Sequence, residues 1–156
     1  MTPIPSEPRG LRQYWESLDQ TLIRFMTAYG VLLLRIALAI TFVWFGALKI
    51  VGQSPVADLV ASTVYWFPAP IVVPALGIWE VLVGLGLLFG IALRLTLLLF
   101  WLQLAGTFLV LVLHPELAFQ HGNPLILTMT GEFVIKNLVL IAAGIVIGST
   151  VRRTGG

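Results

Sequence analysis

The sequence has few charged residues and no cysteine. Of its 156 residues, 10% are charged and 58% are hydrophobic, and the mean hydropathy is +0.99. A soluble domain carries about 25% charged residues, so this chain cannot cover an ordinary water-facing surface with charge. The absence of cysteine excludes disulfides, thiol redox chemistry and cysteine-ligated metal clusters within the protein itself.

Several functional motifs are missing as well. No basic cluster exceeds the pair Arg152-Arg153, so we do not predict nucleic-acid binding. The sequence contains no phosphate-binding loop, catalytic triad, zinc motif or dinucleotide fingerprint. We therefore expect neither a stand-alone enzyme nor a metal site. The polar, proline-containing residues 1–10 do not resemble a cleavable signal peptide, so the first span is expected to act as its own insertion signal.

Long apolar runs take up most of the chain. Backbone groups inside hydrocarbon must be hydrogen-bonded internally, and continuous rather than alternating apolar runs favour helices over a barrel. The sequence predicts an all-α integral membrane four-helix bundle, with a transmembrane domain over residues 29–148. The predicted spans lie at about 29–51, 71–93, 95–113 and 125–148.

The two ends of the chain are more polar. Residues 1–28 form a predicted cytoplasmic segment whose residues 11–28 alternate apolar and charged positions at helical spacing, which indicates an amphipathic interfacial helix. Residues 149–156 form a predicted cytoplasmic tail. Arginines lie in both end segments and in the 90–94 turn, whereas loops 52–70 and 114–124 contain no Lys or Arg. The positive-inside rule then places both termini in the cytoplasm (N-in/C-in).

The two longer loops differ from the tight 90–94 turn, which predicts an antiparallel hairpin of spans two and three. In loop 52–70 the apolar residues suggest a segment that lies along the membrane surface. His114 and His121 flank the other loop; two loop histidines without a third ligand do not favour haem or metal binding.

Charged side chains within the spans need partners, water or an interface. Lys49 lies at the predicted end of span one and is expected to snorkel. Glu80 lies at the middle of span two and cannot do so; Gly77 and Gly84 beside it would let another helix approach closely. Arg35 is open to either interpretation, a snorkelling side chain or a buried pair.

Span four places Glu132 and Lys136 four residues apart on one face, which favours a mutual ion pair; the alternative is a bridge from Lys136 to Glu80. Gln103 lies at the depth of Glu80 and could close a polar pocket. Together these positions give the candidate ligand-binding residues, which are Arg35, Lys49, Trp79, Glu80, Gln103, Glu132, Lys136 and Asn137.

Three segments carry a resemblance to a known family: LRIALAITFVWFGALKI, LGIWEVLVGLGLLFGIALR and GEFVIKNLVLIAAG. Over about residues 30–148 the chain resembles the DoxX-like superfamily of small four-helix membrane proteins, and more closely its YkgB-like branch. The resemblance implies a four-helix bundle in the bacterial inner (plasma) membrane. The matching family positions are Arg35, Gly46, Lys49, Glu80, Gly84, Arg94, Glu132, Lys136 and Asn137.

The family's functions are diverse. Members include a subunit paired with a thiosulfate–quinone oxidoreductase, relatives of assembly factors, and proteins linked to oxidant stress. We therefore expect a membrane accessory protein of a redox or oxidative-stress system that binds a quinone or a lipid in the polar pocket. The alternatives are an assembly factor or chaperone for a membrane partner, and a small transporter or proton pathway formed by an oligomer such as a dimer.

Overall fold

A computed structural model describes the backbone of residues 9–151 and the side chains of residues 12–151. The predicted features at residues 1–8 and 152–156 lie outside the described residues. The described helices are α1 (Arg9–Ile50), α2 (Ala57–Thr63), α3 (Ala69–Phe89), α4 (Leu93–Leu113), α5 (Pro115–Ala118) and α6 (Met129–Thr150), with a 3-10 turn at Gln120–Gly122. Of these, α1, α3, α4 and α6 are long and apolar enough to cross a membrane, which confirms the predicted all-α membrane fold.

The chain divides into two compact units between Leu33 and Leu34. In the first unit, side chains from residue 12 onward are almost all exposed, and Arg12 pairs with Glu16 one turn away at 3.0 Å. The predicted amphipathic segment and span one form one unbroken helix, α1, of 42 residues.

Local signals set the ends of the spanning helices in the second unit. Pro68 precedes α3 and Pro70 lies in its first turn, where a missing N–H costs nothing. Gly90 ends α3 in the left-handed conformation (φ 69°), and α4 begins three residues later, at Leu93. Thr128 caps α6 by accepting a hydrogen bond from the Gly131 N–H. The result is the tight α3–α4 hairpin that the sequence predicts.

The contact between α1 and α3 depends on glycine. A Cβ at Gly46 would lie 2.5 Å from the Gly77 carbonyl oxygen, and a Cβ at Gly84 would lie 2.9 Å from the Ala39 carbonyl oxygen. The two backbones are therefore in direct contact over two helical turns. This confirms the close approach predicted at Gly77 and Gly84.

The glycine contacts also define how α1 is aligned along α3, and this alignment shows that α1 ends inside the bundle. Gly46 opposes Gly77 on an antiparallel partner, so Ile50 lies level with about residue 74 of α3. Helix α3 therefore continues by about six residues, or roughly 9 Å, beyond the end of α1. Helix α2 packs against α3 and α4 in this region. The apolar residues of loop 52–70, for which the sequence suggests a position along the membrane surface, pack against the bundle where α1 stops.

The contact between α4 and α6 is also made at small residues. Gly144 faces Phe100 and Trp101, and Gly148 lies next to Leu97. The core beside it contains the fully buried Phe100 and Ile147. The two small residues Gly144 and Gly148, four apart on α6, thus make a helix contact within this bundle. We call the end of the second unit that holds α2 and residues 114–128 the loop end.

Candidate functional site

A buried ion pair connects α1 and α3. The Lys49 ammonium donates to both carboxylate oxygens of Glu80, at 2.7 Å to Oε1 and 2.6 Å to Oε2. The two side chains are only 7% and 11% exposed. Glu80 lies in the middle of α3, roughly 15 Å from either end of the helix. Charge-assisted bonds of this length compensate part of the large cost of removing both ions from water.

The snorkelling predicted for Lys49 is wrong. It assumed that the end of α1 coincides with a membrane interface, whereas α1 ends level with the interior of α3. At this depth Lys49 has a carboxylate within reach and no interface. The sequence did contain a signal for the pair: Lys49 and Glu80 each follow, by three residues, one of the two glycines that bring the helices together, Gly46 and Gly77.

Helix α4 adds a third polar group to the pair. The Gln103 side-chain amide donates from Nε2 to Glu80 Oε1 at 2.5 Å. Because the carboxylate accepts hydrogen bonds, this contact orients the amide with Oε1 turned away, and Gln103 Oε1 is buried without a hydrogen-bond partner in the described residues. One residue before Glu80, the Trp79 indole N–H donates to the Leu99 carbonyl of α4 at 3.2 Å. Spans one, two and three therefore share this polar centre.

The two candidates on α6 lie elsewhere. Lys136 and Glu132 pair with each other at 3.5 Å, and their side chains are 75% and 59% exposed. The register set by Gly144 and Phe100 places Lys136 level with about residue 109 of α4, which is roughly 9 Å nearer the loop end than Gln103. The mutual ion pair is confirmed, and the alternative bridge from Lys136 to Glu80 is not formed. Asn137, the next residue, is buried.

Arg35 lies at the opposite end of the bundle from α2. A Cβ at Gly90, the residue that ends α3, would lie 3.4 Å from an Arg35 terminal nitrogen. Arg35 Nε is buried without a hydrogen-bond partner in the described residues. A cation at this point faces the negative end of the α3 dipole. The structure therefore separates Arg35 from the polar centre by most of the length of the bundle.

A cavity of about 520 Å³ lies next to the polar centre. Lys49, Glu80, Gln103 and Trp79 line it, together with Lys136 and Asn137. Most of the remaining wall is aliphatic or aromatic, and the cavity is partly open to the surroundings of the bundle. Six of the eight candidate residues are thus brought to one cavity, whereas Arg35 and Glu132 are not among its lining residues.

Helix α2 and the residues before it form a wall of the cavity that the sequence did not predict. Ser54, Val56, Leu59 and Thr63 line it, and Thr63 is buried although it lies in a connecting segment. The periodic apolar residues of loop 52–70 were a usable signal, but they do not distinguish a lipid-facing surface from a cavity wall. These residues can be assigned to the cavity wall only because α1 ends early, at Ile50.

His114 fixes α2 to the end of α4. Its Nε2 lies 3.1 Å from the Ser62 carbonyl oxygen, and its Nδ1 lies 3.1 Å from Glu116 Oε1. The hydrogen bond to Glu116, and then the one to Ser62, raise the pKa of His114 above its ordinary value. Among residues 12–151, no group of three or more His, Asp or Glu side chains could hold a metal ion.

Chemically, the site combines an apolar chamber with a few oriented polar groups at one side. Binding pockets for small molecules commonly measure about 300–1,000 Å³, with mostly apolar walls and a few placed hydrogen-bonding groups. The cavity has this size and character. An ionic group within a membrane span is typically functional.

Comparison with known proteins identifies the family. No curated protein and no solved structure matches the chain. The DoxX family model matches residues 30–114, which is more than half of the chain and covers α3, α4 and the Lys49–Glu80–Gln103 centre. The match does not extend to the narrower YkgB-like branch, which stays a prediction. With its four membrane-spanning helices, the chain belongs to the DoxX family.

Proposed function

We propose that this membrane protein binds a quinone or a lipid in the cavity between α1, α2, α3, α4 and α6, and that it acts as an accessory component of a redox or oxidative-stress system. One observation carries the binding proposal: an apolar cavity of about 520 Å³ has the buried Lys49–Glu80 pair and Gln103 in its wall. Such a chamber suits a molecule with an apolar body and a small polar head. The redox part rests on the family resemblance.

The polar groups divide into two roles in this proposal. Lys49 and Gln103 supply N–H donors near the middle of the bundle, where a ligand carbonyl or hydroxyl would otherwise have no partner. Trp79 provides a flat apolar surface, and its N–H is already bonded to the Leu99 carbonyl. Lys136 lies nearer the loop end and would contact another part of the ligand.

A test of ligand binding can use two matched glycines. A Cβ at Gly106, which lines the cavity, meets nothing within 4 Å, and the same is true at Gly30 in the first unit. Gly106→Leu therefore adds a bulky side chain at the cavity wall with no clash at its Cβ, while Gly30→Leu adds the same side chain at a residue that does not line the cavity. The three proteins are purified in mild detergent, and bound molecules are extracted and identified by mass spectrometry.

We expect a quinone or a specific lipid in near-stoichiometric amount from the wild type and from Gly30→Leu, and at least about tenfold less from Gly106→Leu. Recovery of no specific molecule from the wild type would overturn the proposal. Equal recovery from Gly106→Leu would also overturn it, because the molecule would then bind outside the cavity.

The alternative of an assembly factor receives less support from the contacts. In that hypothesis the span charges and the Gly144–Gly148 face dock a partner, but Lys49 and Glu80 pair within the chain and Gly144 packs against Phe100. Crosslinking followed by pull-down discriminates: a stoichiometric membrane subunit that is retained by Gly106→Leu would favour the assembly role over ligand binding.

A further inference from the structure

The two buried ionic groups at the cavity wall, Lys49 and Glu80, sum to zero charge. Lys49 contributes one positive charge and Glu80 one negative charge, and the other polar groups beside them, Gln103 and Asn137, are neutral. Moving a proton from Lys49 to Glu80 would leave the pair neutral as well. The third ionic lining residue, Lys136, is exposed and pairs with Glu132, which does not line the cavity. The charge balance of the inner site therefore does not depend on which partner holds the proton.

From this balance we propose that the cavity selects a ligand whose polar head is electrically neutral and carries an oxygen. The inference rests on the proposed binding function. It narrows the ligand to molecules with a neutral, oxygen-containing head, a class that includes quinones, quinols and long-chain alcohols. It excludes free fatty acids, other anionic amphiphiles and amines as preferred ligands.

The electrostatic reason is the geometry of the pair. Both oxygens of Glu80 lie within 2.7 Å of the Lys49 ammonium. An anionic head could reach Lys49 only beside Glu80, which would place two negative charges around one positive charge in a medium of low polarity. A cationic head at Glu80 would place two positive charges around one negative charge. A neutral head changes no charge in the site.

The unused hydrogen-bonding capacity of Lys49 and Glu80 indicates that the ligand head carries an oxygen atom. An ammonium group has three N–H donors, and the contacts with Glu80 use two of them. Glu80 Oε2 accepts from Lys49 alone among the described side chains, whereas Oε1 also accepts from Gln103. The site therefore retains donor capacity on Lys49 and acceptor capacity on Glu80. A carbonyl oxygen could use the donor, and a hydroxyl group could use both.

The test compares three probes with one alkyl chain and three heads: dodecanol, dodecanoate and dodecylammonium. Their affinities for the full-length protein in maltoside micelles are measured by native mass spectrometry and by the shift in unfolding temperature. For the wild type we expect dodecanol to bind at least about tenfold more tightly than either charged probe. Binding should disappear in Gly106→Leu.

Charge variants should change this selectivity in opposite directions. Glu80→Gln leaves Lys49 without its counter-ion, so dodecanoate should become the preferred probe and should raise the unfolding temperature of that variant. Lys49→Met should shift the preference to dodecylammonium. The double variant Lys49→Met/Glu80→Gln is neutral again and should prefer dodecanol. Glu132→Gln, which unbalances only the exposed pair, should keep the wild-type order.

The outcomes separate the two proposals. If no probe binds the wild type in a manner that Gly106→Leu abolishes, the binding function itself fails. If dodecanoate or dodecylammonium binds the wild-type cavity as tightly as dodecanol, the cavity is a binding site but the selection for a neutral head is wrong. The wild-type series alone decides this, so the inference stays testable even where a single charge variant does not fold.

Discussion

The bundle contains two Lys–Glu pairs that differ in almost everything except their chemistry. Lys49 and Glu80 are 31 residues apart on two helices, are 7% and 11% exposed, and make two bonds of 2.6–2.7 Å. Glu132 and Lys136 are four residues apart on one helix, are 59% and 75% exposed, and meet at 3.5 Å. The first pair connects two spans at the cavity, whereas the second lies along the surface of one.

This difference shows that an ion pair that is easy to recognise from sequence spacing need not be the pair that contributes most to stability. Spacing by four residues makes the α6 pair visible in the sequence, yet an exposed pair of this kind in the first two turns of α6 is expected to contribute little to stability. The two residues of the α1–α3 pair are not neighbours on one helix, and each of the two buried ions depends on the other. Removing one member of each pair therefore tests the comparison most directly.

The largest effect is expected for Glu80→Gln. This change leaves the Lys49 ammonium buried without a counter-ion, which should lower the free energy of unfolding by about 3–5 kcal/mol. The matched change on α6, Glu132→Gln, should cost less than about 1 kcal/mol. Equilibrium unfolding by SDS in mixed micelles measures both values under one condition.

A double variant sharpens this prediction. Lys49→Met/Glu80→Leu removes both ions and replaces them with apolar groups, so much of the loss seen in Glu80→Gln should be recovered. Similar losses for Glu80→Gln and Glu132→Gln would contradict the comparison, since they would mean that burial does not distinguish the two pairs.

The helices themselves were predictable because an apolar run of about 20 residues has few folds available in lipid. The position of Glu80 at mid-span and the mutual pairing of Glu132 with Lys136 follow from counting along one helix. The partner of Glu80 does not, because it depends on how α1 is aligned along α3. That alignment is a property of two helices in contact, and the sequence records it only through Gly46 and Gly77.

The cavity was less predictable for a related reason. Its wall at α2 exists because α1 ends at Ile50, although Val51 continues the apolar run and hydropathy alone does not mark the end. Gly52, with φ 71°, is the local signal that the helix has stopped. Residues such as Leu59 and Thr63 could be assigned to the cavity only after this early end was known.

The second prediction tests the alignment that forms the buried pair. Gly46→Ala would place a Cβ 2.5 Å from the Gly77 carbonyl oxygen and 2.9 Å from Glu80 Cβ, so α1 and α3 must move apart. We expect a loss of about 1–3 kcal/mol in unfolding free energy, although alanine alone favours a helix by about 1 kcal/mol over glycine. The same SDS titration provides the measurement.

Gly106→Ala is the matched control, because nothing lies within 4 Å of a Cβ at that position. It should leave stability unchanged or raise it by up to about 1 kcal/mol. A stable Gly46→Ala protein would show that the two helices can separate without loss, and the glycine contact would then not be what aligns Lys49 with Glu80.

The smallest effect is expected at the loop end, where a contact between His114 and Glu116 lies outside the spans. His114 Nδ1 faces the Glu116 carboxylate and Nε2 faces the Ser62 carbonyl, both at 3.1 Å. Both partners are acceptors, so only the doubly protonated imidazolium can donate to the two of them at once. In the neutral ring, one nitrogen lone pair must face an acceptor, which weakens the attachment of α2.

The pH dependence follows from the two pKa shifts. Hydrogen bonds to Glu116 and then to Ser62 raise the pKa of His114 above 6.5, so its contribution is complete below pH 6.5 and is lost as pH rises through the folded-state value. The backbone N–H of Glu116 and then His114 lower the pKa of Glu116 below 4.5, so its contribution is complete above pH 4.5 and is lost at lower pH. The contact is therefore strongest between pH 4.5 and 6.5.

Hydrogen–deuterium exchange of the α2 amides can measure this contact. At about pH 6, His114→Asn should exchange a few-fold faster in α2 than the wild type, whereas at about pH 8.5 the two proteins should exchange at similar rates. His121→Asn is the control, because His121 has the left-handed φ of 53° that asparagine tolerates. If His114→Asn matches the wild type at about pH 6, then α2 is held by its packing on α3 and α4 alone, and protonation does not control this wall of the cavity.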